Sequence, residues 1–390
     1  MSKREKAGRA LLLAAVLFSS ANLRAPITCV GPLLNDIRAS LSLSGTTAGL
    51  LSTIPLLAFA FFSPVSGGMA RRFGLGRTLM LAAASVVAGL LLRSYAGVAG
   101  LLIGTVLIGA GIGSGNVLLP VVVKQSYPQN IGRMTGIYAS TMSVFSGLAV
   151  AVCVPVARAV GWRSMLALLS VLSAAAFCFW MTQRKLPLKS ASAEKKSIGR
   201  RILRSKTAWY VTFYFGMQSI VFYGLSMWLP SILADRGIDA ADAGVITSLF
   251  QLLGIPANLL CPMLADKFKN HRVLTAGISV IFFTGISLFC FGKTALPLSV
   301  GIAMCGFCTS ASFSLCMALI GLRTHNSSDA ADLSVMCQTV GYVIAAVGPV
   351  LLGKLHDAVG GWGAPLGFVF ACVLLNALAG QLAGKKGYVE

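Results

Sequence analysis

Acidic side chains are scarce in this 390-residue sequence: eleven Asp and Glu stand against 32 Lys and Arg, with three His and only 11% charged residues in all. The eleven are Glu5, Asp36, Glu194, Asp235, Asp239, Asp242, Asp266, Asp329, Asp332, Asp357 and Glu390. All fall in tails, loops or the ends of apolar runs, and so do His271, His325 and His356. That placement leaves no nucleophile beside a base and no cluster at metal-ligand spacing. A Walker lysine motif, which cradles nucleotide phosphates, is also missing. We therefore expect no enzyme, no cofactor and no metal. Ten cysteines are present, but each sits in or beside an apolar run, so no disulfide framework of an extracellular domain is visible. Cys305 and Cys308 spell C-G-F-C within such a run and read as small hydrophobes in a helix.

Apolar length is what the sequence has in abundance. It is 56% hydrophobic, well above a soluble average. A helix needs about 20 residues to cross a hydrocarbon core of roughly 30 Å. Runs at 10–34, 46–68, 77–93, 97–122, 133–157, 162–183, 207–230, 241–264, 272–291, 297–321, 333–353 and 362–384 predict twelve crossings, an all-α membrane protein. The first run is too long for a signal peptide and has no small-residue cleavage site after it, so it is expected to persist as a helix. The formal net charge of +21 sorts by side. With both termini placed inside, twenty-four of the 32 basic residues lie on inner segments, seven lie outside, and Arg24 lies between. This bias sets topology and removes the need for a nucleic-acid partner.

Arg24 interrupts the first run together with Asn22 and Pro26. At about 1.5 Å per residue it sits about 20 Å beyond Leu11, inside the hydrocarbon core. A guanidinium at a helix centre costs about 2.5 to 3.5 kcal/mol on insertion scales, so protein, water or a ligand must receive it. Pro26 has no N–H to give and frees the carbonyl of Asn22. No acid lies within reach, since Asp36 is about 18 Å farther along a straight helix. Two roles fit: Arg24 offers its fork of donors to an anion or a nitro group in a central cavity, or it knits helices through backbone carbonyls.

Residues 184–206 (RKLPLKSASAEKKSIGRRILRSK) form the one long hydrophilic interruption, read as an inner linker between a first six-helix half, 1–183, and a second, 207–390. The halves echo each other. Gly-Gly-Met-Ala-Arg-Arg-Phe from Gly67 answers Cys-Pro-Met-Leu-Ala-Asp-Lys-Phe from Cys261, each followed by a basic residue, Arg77 or Arg272. Ala-Val-Gly-Trp ending at Trp162 answers Ala-Val-Gly-Gly-Trp ending at Trp362. An even number of helices per half makes this a parallel duplication, an architecture that usually offers a substrate site at the midplane.

These features resemble the major facilitator superfamily across essentially the whole chain. Its signature loop, G-x-L-A-D-R-x-G-R-R in idealised form, is matched from Pro262 to Arg272 and more loosely from Gly68 to Arg77. The loop's acid survives as Asp266, while its counterpart in the first half is Arg71. Three further stretches look like the bacterial cyanate and 2-nitroimidazole transporter branch: Asn22 to Thr28 with Val30 to Leu34, Gly115 to Pro120, and Gly341 to Pro349. The resemblance implies two six-helix bundles related by a pseudo-twofold axis and alternating access. It also implies Arg71, Arg77, Asp266 and Arg272 as gating residues, and a small anion or compact nitro or azole compound as substrate. The expected setting is a bacterial inner membrane, with both termini cytoplasmic, the lipid bilayer as surroundings and no obligate protein partner.

The residues expected to line the cavity beside Arg24 are Asn22, Asn116, Tyr138, Gln218, Tyr223, Gln251, Gln338 and Tyr342. Each reads equally well as an interhelical hydrogen bond. Gln218, Tyr223 and Tyr342 gain weight because the seventh and eleventh helices resemble cavity-lining elements of the family. Phe213, Phe215 and Phe222 read as packing, and Trp209 and Trp228 as interfacial anchors. The glycines from Gly109 to Gly115 read as close helix packing, and Pro155 and Gly348-Pro349 as bends. With no carboxylate or imidazole inside the bundle, proton coupling would have to run through the substrate or a helix-end acid such as Asp36. A rival reading is a membrane sensor of transporter shape that binds without translocating.

Overall fold

The computed structural model describes residues 3–43, 45–188, 198–238, 240–268, 270–292 and 294–389. The described residues form sixteen α-helices and no strand. They are α1 (Lys3–Asn22), α2 (Ala25–Thr28), α3 (Leu34–Leu41), α4 (Gly45–Phe73), α5 (Leu75–Tyr95), α6 (Gly97–Ser126), α7 (Ile131–Leu168) and α8 (Ser170–Thr182). Then come α9 (Ile198–Arg204), α10 (Lys206–Asp235), α11 (Ala240–Leu252), α12 (Gly254–Lys267), α13 (Arg272–Phe291), α14 (Ala295–Leu322), α15 (Ser327–Val359) and α16 (Gly363–Ala383).

Among the described residues, eleven stretches are long and apolar enough to cross a membrane. One of them, Ile131–Thr182, runs for 52 residues, long enough for two crossings. Gly161 divides it at φ 84°, ψ 153°, a left-handed conformation that an L side chain adopts only under strain. Twelve crossings in two bundles of six result. Residues 189–197 of the basic linker lie outside the described residues, as do Glu194, Asp239 and Glu390.

Three expectations need correction. The run at 10–34 is not one helix: it breaks at Leu23 and Arg24, because Pro26 fits the first turn of a new helix but not the interior of the old one. The run at 241–264 holds as one crossing, Ile246–Lys267, with α11 and α12 meeting at Leu253, whose backbone stays helical. Helix α10 continues past Pro230 to Asp235. The eleventh crossing begins at Ser327 rather than 333, which draws Asp329 and Asp332 into its first turns. There Asn326 and Asp329 form a reciprocal cap: the Asp329 N–H donates to Asn326 Oδ1 at 2.9 Å and Asn326 Nδ2 donates to Asp329 Oδ2 at 3.1 Å.

The described chain divides into two compact units. One comprises Met1–Ser126, Thr141–Ala193 and Asn326–Thr339; the other comprises Tyr127–Ser140, Glu194–His325 and Val340–Glu390. Thus α7 and α15 each give their opening turns to one unit and the rest to the other.

In the first unit α6 is the central helix, buried from Ile108 to Val123 apart from Ser114. Its glycines are what admit the neighbours. A Cβ on Gly111 would collide with the Ala82 carbonyl and Val86 of α5, and one on Gly104 with the Gly89 carbonyl. In the second unit α14 plays the same part, buried almost continuously from Cys305 to Gly321. The duplication extends to single hydrogen bonds. Gly76 N–H donates to Leu186 O at 3.1 Å in the first unit, and His271 N–H donates to Gly384 O at 3.0 Å in the second. Gln125 Nε2 donates to Pro187 O at 2.9 Å, and Arg323 Nη1 to Gly387 O at 3.3 Å. In each unit the strand of chain leaving the last helix is thereby stitched back to the signature loop.

Candidate functional site

In the first unit the break between α1 and α2 sets the level of the site. Arg24 occupies the N-cap position of α2 and is 7% exposed. Its carbonyl accepts from Ile27 N–H at 2.9 Å and Thr28 N–H at 3.0 Å, so the new helix starts on this residue. Gly115 of α6 lies where a Cβ would press on Leu23, which brings Asn116 to the height of the break. Ser334 of α15 donates to Val117 O at 2.7 Å, and Gln338 follows one turn later, fully buried. Arg24, Asn116 and Gln338 thus belong to the same unit, at the start of α2 and on α6 and α15. Asn22 is hydrogen bonded within this unit. Its Nδ2 donates to Phe18 O at 2.7 Å and its Oδ1 accepts from Ser173 Oγ at 2.6 Å. Beside it, Ser19 Oγ accepts from Trp180 Nε1 at 2.7 Å, and together these bonds seam α1 to α8.

In the second unit the expected residues fall on an aromatic array. Tyr342 meets Phe215 edge-on at 5.2 Å between ring centroids and Tyr223 at 6.2 Å. Tyr223 meets Phe222 at 5.1 Å, and Phe222 stacks on Phe250 at 5.8 Å. Phe215 and Phe222 are thus members of this wall, next to Tyr223 and Tyr342, whereas Phe213 is 42% exposed and faces outward. Gln218 is buried on the same helix and donates to Ser219 Oγ at 2.7 Å. Gln251 is half-buried beside Phe250. Tyr138, at the opening of α7, is buried with its hydroxyl lacking a partner among the described residues. Its neighbours bind α12: Asn258 Nδ2 donates to Ala139 O at 3.1 Å and Ser140 Oγ to Ile255 O at 3.2 Å.

The four signature-loop residues behave differently from one another. Asp266 caps α7, its two carboxylate oxygens accepting from Gly132 N–H at 2.9 Å and Arg133 N–H at 3.1 Å. Arg71 donates through Nη1 to Asp332 Oδ1 at 2.8 Å. Arg272 ties α13 to α16, donating through Nε to Gln381 O at 3.2 Å. Arg77 is exposed in the first turn of α5.

Two features escaped the sequence reading. Arg93, counted there among the outer basic residues, is 2% exposed and donates through Nη1 to Pro26 O at 2.7 Å. Its position as one of two charges in an otherwise apolar helix, with Arg77 at the opposite end, was the available signal. The second is a polar lock: His271 Nδ1 accepts from Arg323 Nη2 at 2.8 Å while Nε2 lies 3.0 Å from Ala265 O. Since arginine can only donate, the imidazole is neutral with its proton on Nε2. Burial, with Arg323 adding to it, holds the His271 pKa below its ordinary value against the opposing pull of the Ala265 carbonyl and Asp266.

The break in the first crossing, the buried Arg24 and the duplicated signature loops are the marks of a multi-pass membrane transporter. The chain belongs to the Major Facilitator Superfamily, whose model matches residues 12–346. It is 38% identical over 380 residues to the 2-nitroimidazole transporter of Escherichia coli, covering 97% of this chain and 96% of that one. The cyanate transport protein CynX of the same organism is 25% identical over 367 residues, 93% of this chain and 94% of that one. Among solved structures, the proton:xylose symporter XylE superposes with a TM-score of 0.78 at 14% identity, over 95% of this chain and 94% of that chain, a likeness of fold.

Proposed function

We propose that this protein carries a compact nitro or azole compound, or a small anion such as cyanate, across the bacterial inner membrane by alternating access, with both termini cytoplasmic. The observation that carries the reading is the 38% identity, over nearly the full length of both chains, to a transporter named for 2-nitroimidazole. The chemistry of the two units supports it. A nitro group places partial negative charge on two coplanar oxygens, which suits the planar donor fork of Arg24. The heterocycle itself suits the faces and edges of Tyr223, Tyr342, Phe215 and Phe222. The six-helix halves 1–183 and 207–390 are the proposed moving parts, with Arg71, Arg77, Asp266 and Arg272 as gating residues.

The test is a thermal-shift panel on detergent-purified wild type and Arg24→Gln, with cyanate and 2-nitroimidazole at matched concentrations. A ligand at about a hundredfold its Kd stabilises the folded state by about 2.7 kcal/mol, a rise of a few degrees. The expected result is stabilisation of the wild type by 2-nitroimidazole and its loss in a folded Arg24→Gln. Stabilisation by neither solute overturns the substrate reading, and binding without uptake into liposomes overturns translocation.

A further inference from the structure

The carbonyls around the broken first crossing are not served equally. Arg24 O accepts from Ile27 N–H and Thr28 N–H and also, at 3.2 Å, from Thr28 Oγ1. Ala25 O accepts from Cys29 N–H at 3.2 Å, and Ile27 O accepts from Val30 N–H at 3.2 Å. Pro26 O, between those two, is passed over. Helix α2 ends after four residues, and among the described residues no backbone N–H reaches that carbonyl. Pro26 is buried, and a buried carbonyl away from water needs a donor. Arg93 of α5 supplies it, donating through Nη1 at 2.7 Å.

Arg93 is itself held from the other side. It is 2% exposed, and its backbone lies against Gly104 of α6, where a Cβ would come within 2.6 Å of the Arg93 nitrogen and 2.8 Å of its Cβ. The same α6 receives Leu23 at Gly115, and Thr28 meets Ser146 Oγ of α7 at 3.1 Å. Three helices thus each hold one residue of the break, and α5 does so with a charge. A guanidinium is a costly donor for a single carbonyl in hydrocarbon: Nε and Nη2 of Arg93 are buried with no hydrogen-bond partner among the described residues. What it has is length. The hydroxyl and amide side chains are shorter by several bonds, and of the other donors lysine alone has a comparable reach.

We infer that Arg93 is a positioning residue for Arg24: by holding the Pro26 carbonyl it fixes the direction in which the short helix that starts on Arg24 leaves the break. Two backbone hydrogen bonds to its own carbonyl tie Arg24 to that helix. A turn released at Pro26 therefore carries the Arg24 side chain with it, and a displaced donor fork loses ligand binding. The task of Arg24 rests on the transport reading; the hold of Arg93 on the turn does not.

The experiment compares the purified full-length wild type with Arg93→Met, Arg93→Lys and Trp180→Phe. The last removes the bond to Ser19 Oγ, so it loosens α1 against α8 without touching the turn. The first readout is hydrogen–deuterium exchange followed by mass spectrometry, with no solute added. In Arg93→Met, peptides covering 27–34 should exchange about tenfold faster than in the wild type while those of α6 and α8 keep their rates. Arg93→Lys should restore most of the protection, and Trp180→Phe should leave this segment unchanged. The second readout is uptake of 2-nitroimidazole and of cyanate into liposomes: KM for the carried solute should rise about tenfold in Arg93→Met with the maximal rate within about twofold, and stay near the wild-type value in the other two. Should Arg93→Met fail to fold, Arg93→Gln, polar but too short to reach Pro26, takes its place with the same expected pattern. Unchanged exchange over 27–34, or exchange raised evenly across the unit, overturns the hold on the turn. Faster exchange with an unchanged KM overturns the positioning of Arg24. A wild type that takes up neither solute refutes the transport reading instead, and exchange alone then decides whether Arg93 holds the break.

Discussion

At the scale of single residues, the arginines and one histidine divide the work that a protein poor in acids would otherwise give to carboxylates. Arg24 starts a helix, Arg93 reaches back to Pro26, and Arg323 locks a neutral imidazole. The last arrangement has a measurable pH dependence. The folded-state pKa of His271 is depressed, so its contribution to stability is present above the ordinary value near 6.5 and is lost as pH falls through the lower folded value. Melting temperature should therefore drop by a few degrees between pH 7.5 and pH 5. His271→Gln can offer a carbonyl to Arg323 and an amide to Ala265 without titrating. It should remove this part of the pH dependence while leaving the protein folded at pH 7.5, as thermal melts across pH would report.

At the scale of elements, the two signature loops reach helix beginnings by opposite chemistry. In the second unit the Asp266 carboxylate meets the exposed N–H groups that open α7. In the first unit Arg71 holds the corresponding position, and a cation has nothing to gain from a helix N-terminus. It pairs instead with Asp332, an acid placed in the opening turns of α15. Arg71, where the idealised loop has an acid, is thus paired with an acid on α15. If this pair gates, Arg71→Asp should slow uptake severalfold, and the reversed pair Arg71→Asp with Asp332→Arg should recover most of it. Arg71 is half exposed, so the double-mutant coupling in stability is expected at only about 0.5–1 kcal/mol. A reversed pair no faster than Arg71→Asp alone would remove the ion pair from the gating account.

At the scale of the whole molecule, the duplication and the charge bias make a joint statement about topology. The same backbone bond closes the signature loop of each half, at Gly76 and at His271, which is the expectation for two halves inserted in the same sense. Both signature loops and the linker carry basic residues, and the proposed orientation, with these segments in the cytoplasm, follows the positive-inside rule. Fusions of a fluorescent protein and of alkaline phosphatase to either terminus should give fluorescence and no phosphatase activity. The opposite pattern would reverse the orientation.

The sequence by itself determined the fold class, the twelve crossings and the doubling, because hydrophobic length and repeated motifs are one-dimensional signals that a bilayer reads directly. It also singled out Arg24, since a charge in the middle of an apolar run is costly wherever the helix points. It did not determine which polar residues share a surface. Asn22 and Asn116 look alike in sequence, yet the first is engaged in the seam between α1 and α8 and the second stands at the level of the break. Arg93 looked like an outer residue, because distance along a helix tells depth but not which face is covered. The aromatic wall and the bond from Arg93 to Pro26 arise from residues far apart in the chain. Only helix packing, through the close approaches that glycine and the broken first crossing permit, brought them together.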